Sequence, residues 1–386
     1  MTLNDFCVHQ HGGIYISPEG YLQLCGISKE KVVGDVPPHI DDVDDLALFY
    51  SGAYFAGMRS TNVADNPYCI ACTRREANGV KSLRNMMVKK YEDNDIAMDA
   101  VIRHLDVCFS NLCNQQCMMC KSESSSRWYF DDAKHENTEF KRSPVKYRPW
   151  SKDNLHKIIK ILPQLKILTI KGGEPLIQKE VINILQYLKD NEHYPRIEIL
   201  SNFQELSFEV LEILWSMKNM VLRISMDAFG DTYNWTRGGN FDKVLANIER
   251  YVAGCYQKPD IGYTNTLNRW SYLDLIESIK VIEKFSRKLN IGILNYNIQP
   301  VIGPVYTSPF TAPREERLHL VHEFEREFGM ITGDSLDYGV LKVNHLKNVL
   351  SLENDIPGHL DHTEKADKWK TVIDEIRQKP LVPYEF

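Results

Sequence analysis

No run of eighteen apolar residues occurs anywhere in the 386-residue chain, so no membrane-spanning helix is expected. The N-terminus, Met1-Thr2-Leu3-Asn4-Asp5, lacks the basic and apolar regions of an export signal. Strong charge is missing too: the net value of −6 gives no global attraction to nucleic acid or anionic lipid. There is no low-complexity segment and no internal repeat beyond a strand–helix unit. What remains is an ordinary folded composition, 43% apolar and 25% charged, long enough for one large domain and a smaller one. Nine cysteines without an export signal point to a reducing, cytoplasmic setting and to metal binding rather than disulfides.

The densest chemistry is Cys113-Asn114-Gln115-Gln116-Cys117-Met118-Met119-Cys120, three thiols within eight residues. A structural zinc site would want a fourth ligand close by, usually from a second Cys pair. Iron–sulfur clusters normally take four cysteines, so three on a short loop suit a four-iron cluster with one iron left open to another ligand. A second set, Cys7, Cys25, Cys69 and Cys72, is complete by count. Cys7 precedes and Cys25 closes a hairpin over residues 12–24, which turns at Ser17-Pro18-Glu19-Gly20, while Cys69-Ile70-Ala71-Cys72 leads into Glu76, Gly79, Ser82 and Arg84. From residue types alone this set reads as zinc or as a fully ligated cluster. Cys108 reads as a small buried residue and Cys255 as structural.

From His104 onward the chain alternates strands and helices. Strands are expected over 104–109, 165–170, 196–200, 221–226, 259–265 and 291–298, and helices over 179–189, 207–217, 241–254 and 272–289. Such alternation means parallel strands with right-handed crossovers, and six strands predict a partial (β/α)6 barrel of TIM-like α/β type. Active sites of such barrels lie at the C-terminal strand ends. Lys171-Gly172-Gly173-Glu174-Pro175, Ser201-Asn202-Phe203 and Arg223-Ile224-Ser225-Met226-Asp227 all close strands. Helices are also expected over 46–55, 314–328, 337–352 and 364–377, the last three as a C-terminal covering. The acidic run Asp41-Asp42-Val43-Asp44-Asp45 reads as a helix start or solvated face. The basic stretch Lys141–Lys157, with Tyr147 and Trp150 interleaved, reads as a Pro-broken connection or, alternatively, a phosphate-tracking loop.

The C-x3-C-x2-C spacing after a strand, with a Gly-Gly-Glu-Pro turn about fifty residues later, resembles the radical S-adenosylmethionine (SAM) enzymes over residues 5–302. That family usually has an aromatic residue where Met119 stands. The resemblance implies a [4Fe-4S] cluster on Cys113, Cys117 and Cys120 whose open iron binds SAM. Reductive cleavage then yields a 5′-deoxyadenosyl radical that takes a hydrogen atom from substrate. It implies SAM contacts from Gly172, Gly173, Glu174 and Pro175 (the amino group), from Asn202 (the Asn of the family's Thr-Asn-Gly turn), from Ser225 and Asp227 (ribose), and from Arg237 (carboxylate) and Val301 (adenine). Ser201 and Phe203 depart from the family's Thr-Asn-Gly turn. The other cysteine set resembles the Twitch module, a shortened SPASM domain, and so implies a second [4Fe-4S] cluster on Cys7, Cys25, Cys69 and Cys72. In most relatives that module follows the barrel, whereas here it precedes it. The expected division is residues 1–100 for this module, 101–302 for the barrel and 303–386 for the helical extension. Such enzymes often act on peptides or proteins, and electrons would come from a flavodoxin or ferredoxin. A small molecule or nucleotide base is the alternative substrate, and a non-catalytic zinc or cluster protein the alternative class. Neither a membrane nor nucleic acid is the expected partner.

Overall fold

The computed structural model describes residues 7–28, 36–77, 82–97, 99–128, 150–291, 296–301, 304–328 and 362–378. One sheet organises them, in the order β2-β1-β3-β4-β5-β6-β7-β8. The six strands expected from His104 onward are present as β3 (His104–Cys108), β4 (Ile167–Lys171), β5 (Arg196–Ser201), β6 (Met220–Ser225), β7 (Asp260–Leu267) and β8 (Tyr296–Pro300). Each pairs in parallel with the next, as the alternation with helices requires. Residues 292–295, which include most of the lead-in expected for the last strand, lie outside the described residues.

The N-terminal hairpin is part of this sheet. Its first strand, β1 (Gly13–Ile16), pairs in parallel with β3, Gly13 opposite His104 and Ile16 opposite Val107. The short β2 (Leu22–Gln23) returns antiparallel and forms the edge. The turn between them closes through a hydrogen bond from Gly20 N to Ser17 O at 2.9 Å, with Gly20 at φ +87°. So the sheet runs on through the segment that sequence alone sets apart as a module. Among the described strands β2 and β8 do not pair, and the barrel stays open.

Helices pack outside the sheet because each carries one apolar stripe. The helices α1 (Val8–Gly12), α2 (Leu46–Ser51), α3 (Ala53–Arg59), α4 (Ile70–Ala77) and α5 (Leu83–Asp93) lie between the chain start and β3. Sequence suggests one helix over 46–55, but the chain breaks it at Gly52, which caps α2. Asp45 starts α2 by accepting from Leu48 N at 3.0 Å, so the acidic run serves as a helix start. That run also meets the basic helix α6 (Leu155–Ile161): Lys160 pairs with Asp45, and Lys157 donates to Ile40 O. The rest of the basic stretch, residues 141–149, lies outside the described residues.

Within the barrel, α7 (Lys179–Asp190), α8 (Phe208–Ser216), α9 (Gly230–Arg237), α10 (Phe241–Gly254) and α11 (Leu275–Lys288) follow β4 to β7. In α10 the buried set Phe241, Val244, Ile248 and Tyr251 repeats at three- and four-residue intervals. Asn240 caps it by accepting from Lys243 N. The short α9, for which the sequence pattern predicts no element, ends on Gly238 in the left-handed region at φ +64°. Two C-terminal helices follow, α12 (Arg314–Phe328) and α13 (Thr363–Gln378), both expected; the helix expected over 337–352 lies outside the described residues. Among the described residues no helix is long and apolar enough to cross a membrane.

Candidate metal centre and cofactor site

The three clustered thiols lie on the loop that leaves the C-terminal end of β3. Cys113 and Cys117 are buried, and Cys120 is half-buried. The loop is held by backbone-directed bonds. Cys113 N donates to Ser126 Oγ at 3.1 Å, Cys120 N to Cys117 O at 2.9 Å and Trp128 Nε1 to Cys117 O at 2.7 Å. Burial, and then the neighbouring Cys117, push the Cys113 thiol up, and burial does the same at Cys117. Thiols in this state become thiolates only when a cationic group joins them.

The turn after β4 nests under this loop. Gly172 and Gly173 both take positive φ, +86° and +55°. A Cβ on Gly173 would stand 2.1 Å from Leu112 O, and one on Gly172 would stand 2.6 Å from Cys108 Cβ. The glycines therefore let the β4 turn press against the chain that carries Cys113. Glu174 N donates to Leu112 O at 2.7 Å and locks the two together. The Glu174 side chain is buried and ties inward: it accepts from Leu176 N at 3.0 Å, Ser201 Oγ at 2.7 Å and Asn202 N at 2.6 Å. Pro175 begins the following 3-10 turn. Asn202 then reaches the thiol loop itself, donating to Asn114 Oδ1 at 2.7 Å, with Cys113 Sγ at 4.0 Å.

On the next strands, Ser225 ends β6 in register with Thr264. Asp227 is fully buried; it accepts from Thr266 N at 2.6 Å and is ion-paired with Arg237 at the end of α9. Sequence reading set both aside for a ligand, and here they bond to each other. Arg237 Nε also donates to Gln115 Oε1 at 3.2 Å, and its charge acts on Cys117. Val301 is buried in one cluster with Cys117, Met118, Met119 and Trp128. The C-terminal strand ends thus bring together all the residues singled out on them.

Sequence reasoning passed over two parts of this site. Gln115, inside the thiol loop, is its junction: its amide joins Gln204, Tyr233 and Arg237, and Cys117 Sγ lies 3.8 Å from its Oε1. Gly239 makes room for it, since a Cβ there would come within 2.2 Å of Gln115 Nε2. The second part is α13. It seats Trp369 against Trp128 and Tyr306, donates from Trp369 Nε1 to Met118 O at 3.3 Å, and sends Arg377 to Gln116 O at 2.6 Å and to Trp235 O at 2.9 Å. Polar neighbours between motif cysteines were a signal for the first. Nothing local marks a helix 250 residues away as a lid on this loop.

The other four cysteines lie at the opposite end of the strands. Cys7 opens α1, which runs directly into the first residue of β1, and Cys25 lies two residues past Gln23, the partner of Tyr15 on an antiparallel strand. All four line one small cavity of about 20 Å³. Burial pushes the Cys7 thiol up to about 11 and, with Cys7 and Cys72 adding to it, the Cys69 thiol up to about 12. Gln10 Nε2 donates to Cys69 Sγ at 3.2 Å. Glu76, Ser82 and Arg84 form a network of their own: Arg84 pairs with Glu76, which also accepts from Ser82. They tie α4 to α5, and the Arg84 charge also acts on Cys7. Gly79 lies outside the described residues. Among the described residues, no three His, Cys, Asp or Glu side chains are placed to hold a single metal ion. Thiolates on one zinc stand ~3.8 Å apart, given Zn–S bonds of about 2.3 Å; a multinuclear cluster spreads its ligands more widely.

Inside the barrel lies a half-open cavity of about 800 Å³ lined by residues of β3 to β8 and by α5. It shares His9, Ile27, Leu83 and Met87 with the four-thiol cavity.

The open parallel barrel thus carries three clustered thiols at its C-terminal mouth. Residues 107–254 match the family model described as the Radical SAM superfamily. No curated protein matches the chain. Among solved structures, Streptococcus suis SuiB bound to precursor peptide SuiA is similar at 15% identity and TM-score 0.42, covering 65% of this chain and 53% of that one. SuiB bound to S-adenosylmethionine is similar at 15% identity and TM-score 0.37, covering 64% of this chain and 48% of that one. TYW1 with a lysine-pyruvate adduct is similar at 15% identity and TM-score 0.30, covering 55% of this chain and 70% of that one. The chain thus spans about half the length of the SuiB structures it resembles.

Proposed function

We propose that this chain is a radical SAM enzyme that acts on a peptide or protein, with the SAM-binding cluster on Cys113, Cys117 and Cys120 and an auxiliary [4Fe-4S] cluster on Cys7, Cys25, Cys69 and Cys72. The observation that carries it is the joint at the C-terminal strand ends: Asn202 reaches Asn114 of the thiol loop, and Arg237, held by Asp227, reaches Gln115 of the same loop. The donor sets fit. Three buried or half-buried thiols leave one iron of a cubane free, and four thiols around one cavity complete a second. When bound, the cluster and SAM supply reductive cleavage and hydrogen-atom abstraction.

The residues around them do the positioning. Gly172, Gly173 and Pro175 shape a turn against the thiol loop, Glu174 holds Asn202 to it, Ser225 closes the next strand, and Asp227 holds Arg237 in place. Arg237, beside Cys117, carries the fork that suits a carboxylate and would take one in place of Asp227. Val301 and the indoles around α13 keep water from the loop, which protects a reactive intermediate. Substrate held in the barrel cavity lies beside the four-thiol cavity, which shares His9, Ile27, Leu83 and Met87 with it. Residues 1–100 act as the auxiliary module, 101–302 as the catalytic body and 303–386 as its cover. A flavodoxin or ferredoxin in the cytoplasm is the proposed electron source.

The peptide reading rests on the four-cysteine module. The cavity volume favours a second reading, a small molecule or nucleotide base, because about 300–1,000 Å³ is the usual range of small-ligand sites. The test is anaerobic reconstitution with dithionite and SAM. Wild type should hold about eight irons per chain and release 5′-deoxyadenosine; Cys113→Ala, Cys117→Ala or Cys120→Ala should release none. Cys69→Ala or Cys72→Ala should hold about four irons and still cleave SAM while losing turnover. A wild-type protein carrying only zinc would end the proposal.

A further inference from the structure

The barrel interior is built in layers by the strand register. Asp106, Thr169 and Glu198 face each other in one layer. Above it come Leu200, Arg223 and Gly262, which are register partners on β5, β6 and β7. Above that, nearest the thiol loop, lie Ser225, Thr264 and Asn297. Five charged side chains from the strands line the cavity: Asp106, Lys171, Arg196, Glu198 and Arg223. Four of them are matched. Lys171 pairs with Asp106 at 2.7 Å, and Glu198 takes Lys90 of α5 at 2.7 Å and Arg196 at 3.0 Å. Arg196 further approaches Asp260 at 3.9 Å. Among the described residues, Arg223 alone of the five has neither an ion pair nor a hydrogen bond. The nearest acid to act on it, Glu198, is already held below its ordinary range against the cost of burial, chiefly by Lys90 and Arg196.

Arg223 is half-buried in a half-open cavity, so its guanidinium is accessible to a ligand of opposite charge. Its neighbour on β7 is Gly262, which contributes no side chain, so the wall beside Arg223 is open. Two residues farther up β6 stands Ser225, about 7 Å away along the strand.

The geometry points to Arg223 as the substrate-anchoring residue, taking one carboxylate of the substrate in the middle layer of the barrel and holding the adjoining atoms up toward the thiol loop. The planar fork matches a carboxylate in two parallel hydrogen bonds. Thr264 and Asn297, one layer higher, supply the polar groups that such a substrate passes on its way to the thiol loop. The assignment rests on the proposed function only for what bears the carboxylate: an acidic side chain or a chain terminus of a peptide.

The test uses phenylglyoxal, which labels accessible guanidinium groups, on the anaerobically reconstituted holoenzyme, with labelled positions mapped by mass spectrometry. Arg223 should label, while Arg237, paired with Asp227, should label slowly throughout. N-acetyl-L-glutamic acid α-amide carries only a side-chain carboxylate, and N-acetylglycylglycine only a terminal one. At twice its dissociation constant, either should slow Arg223 labelling about threefold. The first protecting assigns the anchor to an acidic side chain, the second to a chain terminus. Neutral N-acetyl-L-glutamine amide should leave the rate unchanged. Failure of Arg223 to label without any addition, equal protection by the neutral amide, no protection by either carboxylate, or protection by inorganic phosphate alone would each overturn the assignment. The 5′-deoxyadenosine yield is measured on the same preparation. SAM cleavage without protection removes this anchor and leaves the proposed function; protection without cleavage removes the radical reading and leaves the anchor.

Discussion

Trp369→Ala tests whether α13 is a structural cover of the thiol loop. Trp369 is 2% exposed and stacks on Trp128, with Tyr306 at its edge and its indole N–H on Met118 O. Truncating a buried Trp to Ala costs about 3–5 kcal/mol, and the lost hydrogen bond belongs to a class worth about 1 kcal/mol. Roughly 4 kcal/mol is three orders of magnitude in an equilibrium. That cost falls first on the docking of α13, which Trp369 shares with the buried Ala366, Ile373 and Ile376 and with the bonds of Arg377 to Gln116 and Trp235 and of Asp374 to the Trp235 indole at 2.7 Å. Amide exchange over 366–376 should therefore rise about a thousandfold, or to the unprotected rate, while α10 keeps its protection. Trp369→Phe keeps most of the ring and loses the donor, so its exchange should rise only about tenfold, in line with a cost near 1.4 kcal/mol. In air, iron should leave the Ala variant faster than wild type. Exchange in α13 within twofold of wild type would refute the idea that this helix clamps the loop.

Two other outcomes follow from the packing and from burial. Gly239→Ala should destabilise by about 1–3 kcal/mol, because its Cβ displaces Gln115 from Gln204 and Arg237. In urea unfolding the cost should shrink by at least ~1 kcal/mol in a Gln115→Ala background, and strict additivity would refute the steric account. Burial holds His104 well below the usual imidazole range, so the folded state refuses a proton that the unfolded chain accepts near pH 6.5. Its stabilising effect is complete above that pH and declines as pH falls. His104→Phe should flatten the urea midpoint's slope between pH 6.5 and 5 by up to about 1.4 kcal/mol per unit, and an unchanged slope would refute the assignment of a neutral, proton-refusing His104.

Much of the barrel was legible because its signals are local. Phe241–Gly254 and Arg314–Phe328 have the bounds that apolar spacing and caps predict. Elsewhere the local signal was weaker. Polar α9 carries only two aromatic residues, Tyr233 and Trp235, too few for a clear stripe, and its helical form depends on Gly238 and on contacts with the thiol loop. Gly52 looked tolerable inside one helix, yet tertiary packing turned it into a break.

The sequence by itself determined the parallel strand–helix order, the three-thiol loop and the glycine turn beside it, since spacing and backbone freedom are written residue by residue. Only the tertiary structure decided that Asp227 pairs with Arg237, that the four early cysteines stand at the far end of the same sheet, that Trp369 and Arg377 close over the thiol loop, and that Arg223 is left unmatched in the barrel. Those outcomes depend on strand register and on which side chains already satisfy one another across 10 to 261 residues of chain, and no local pattern carries that information.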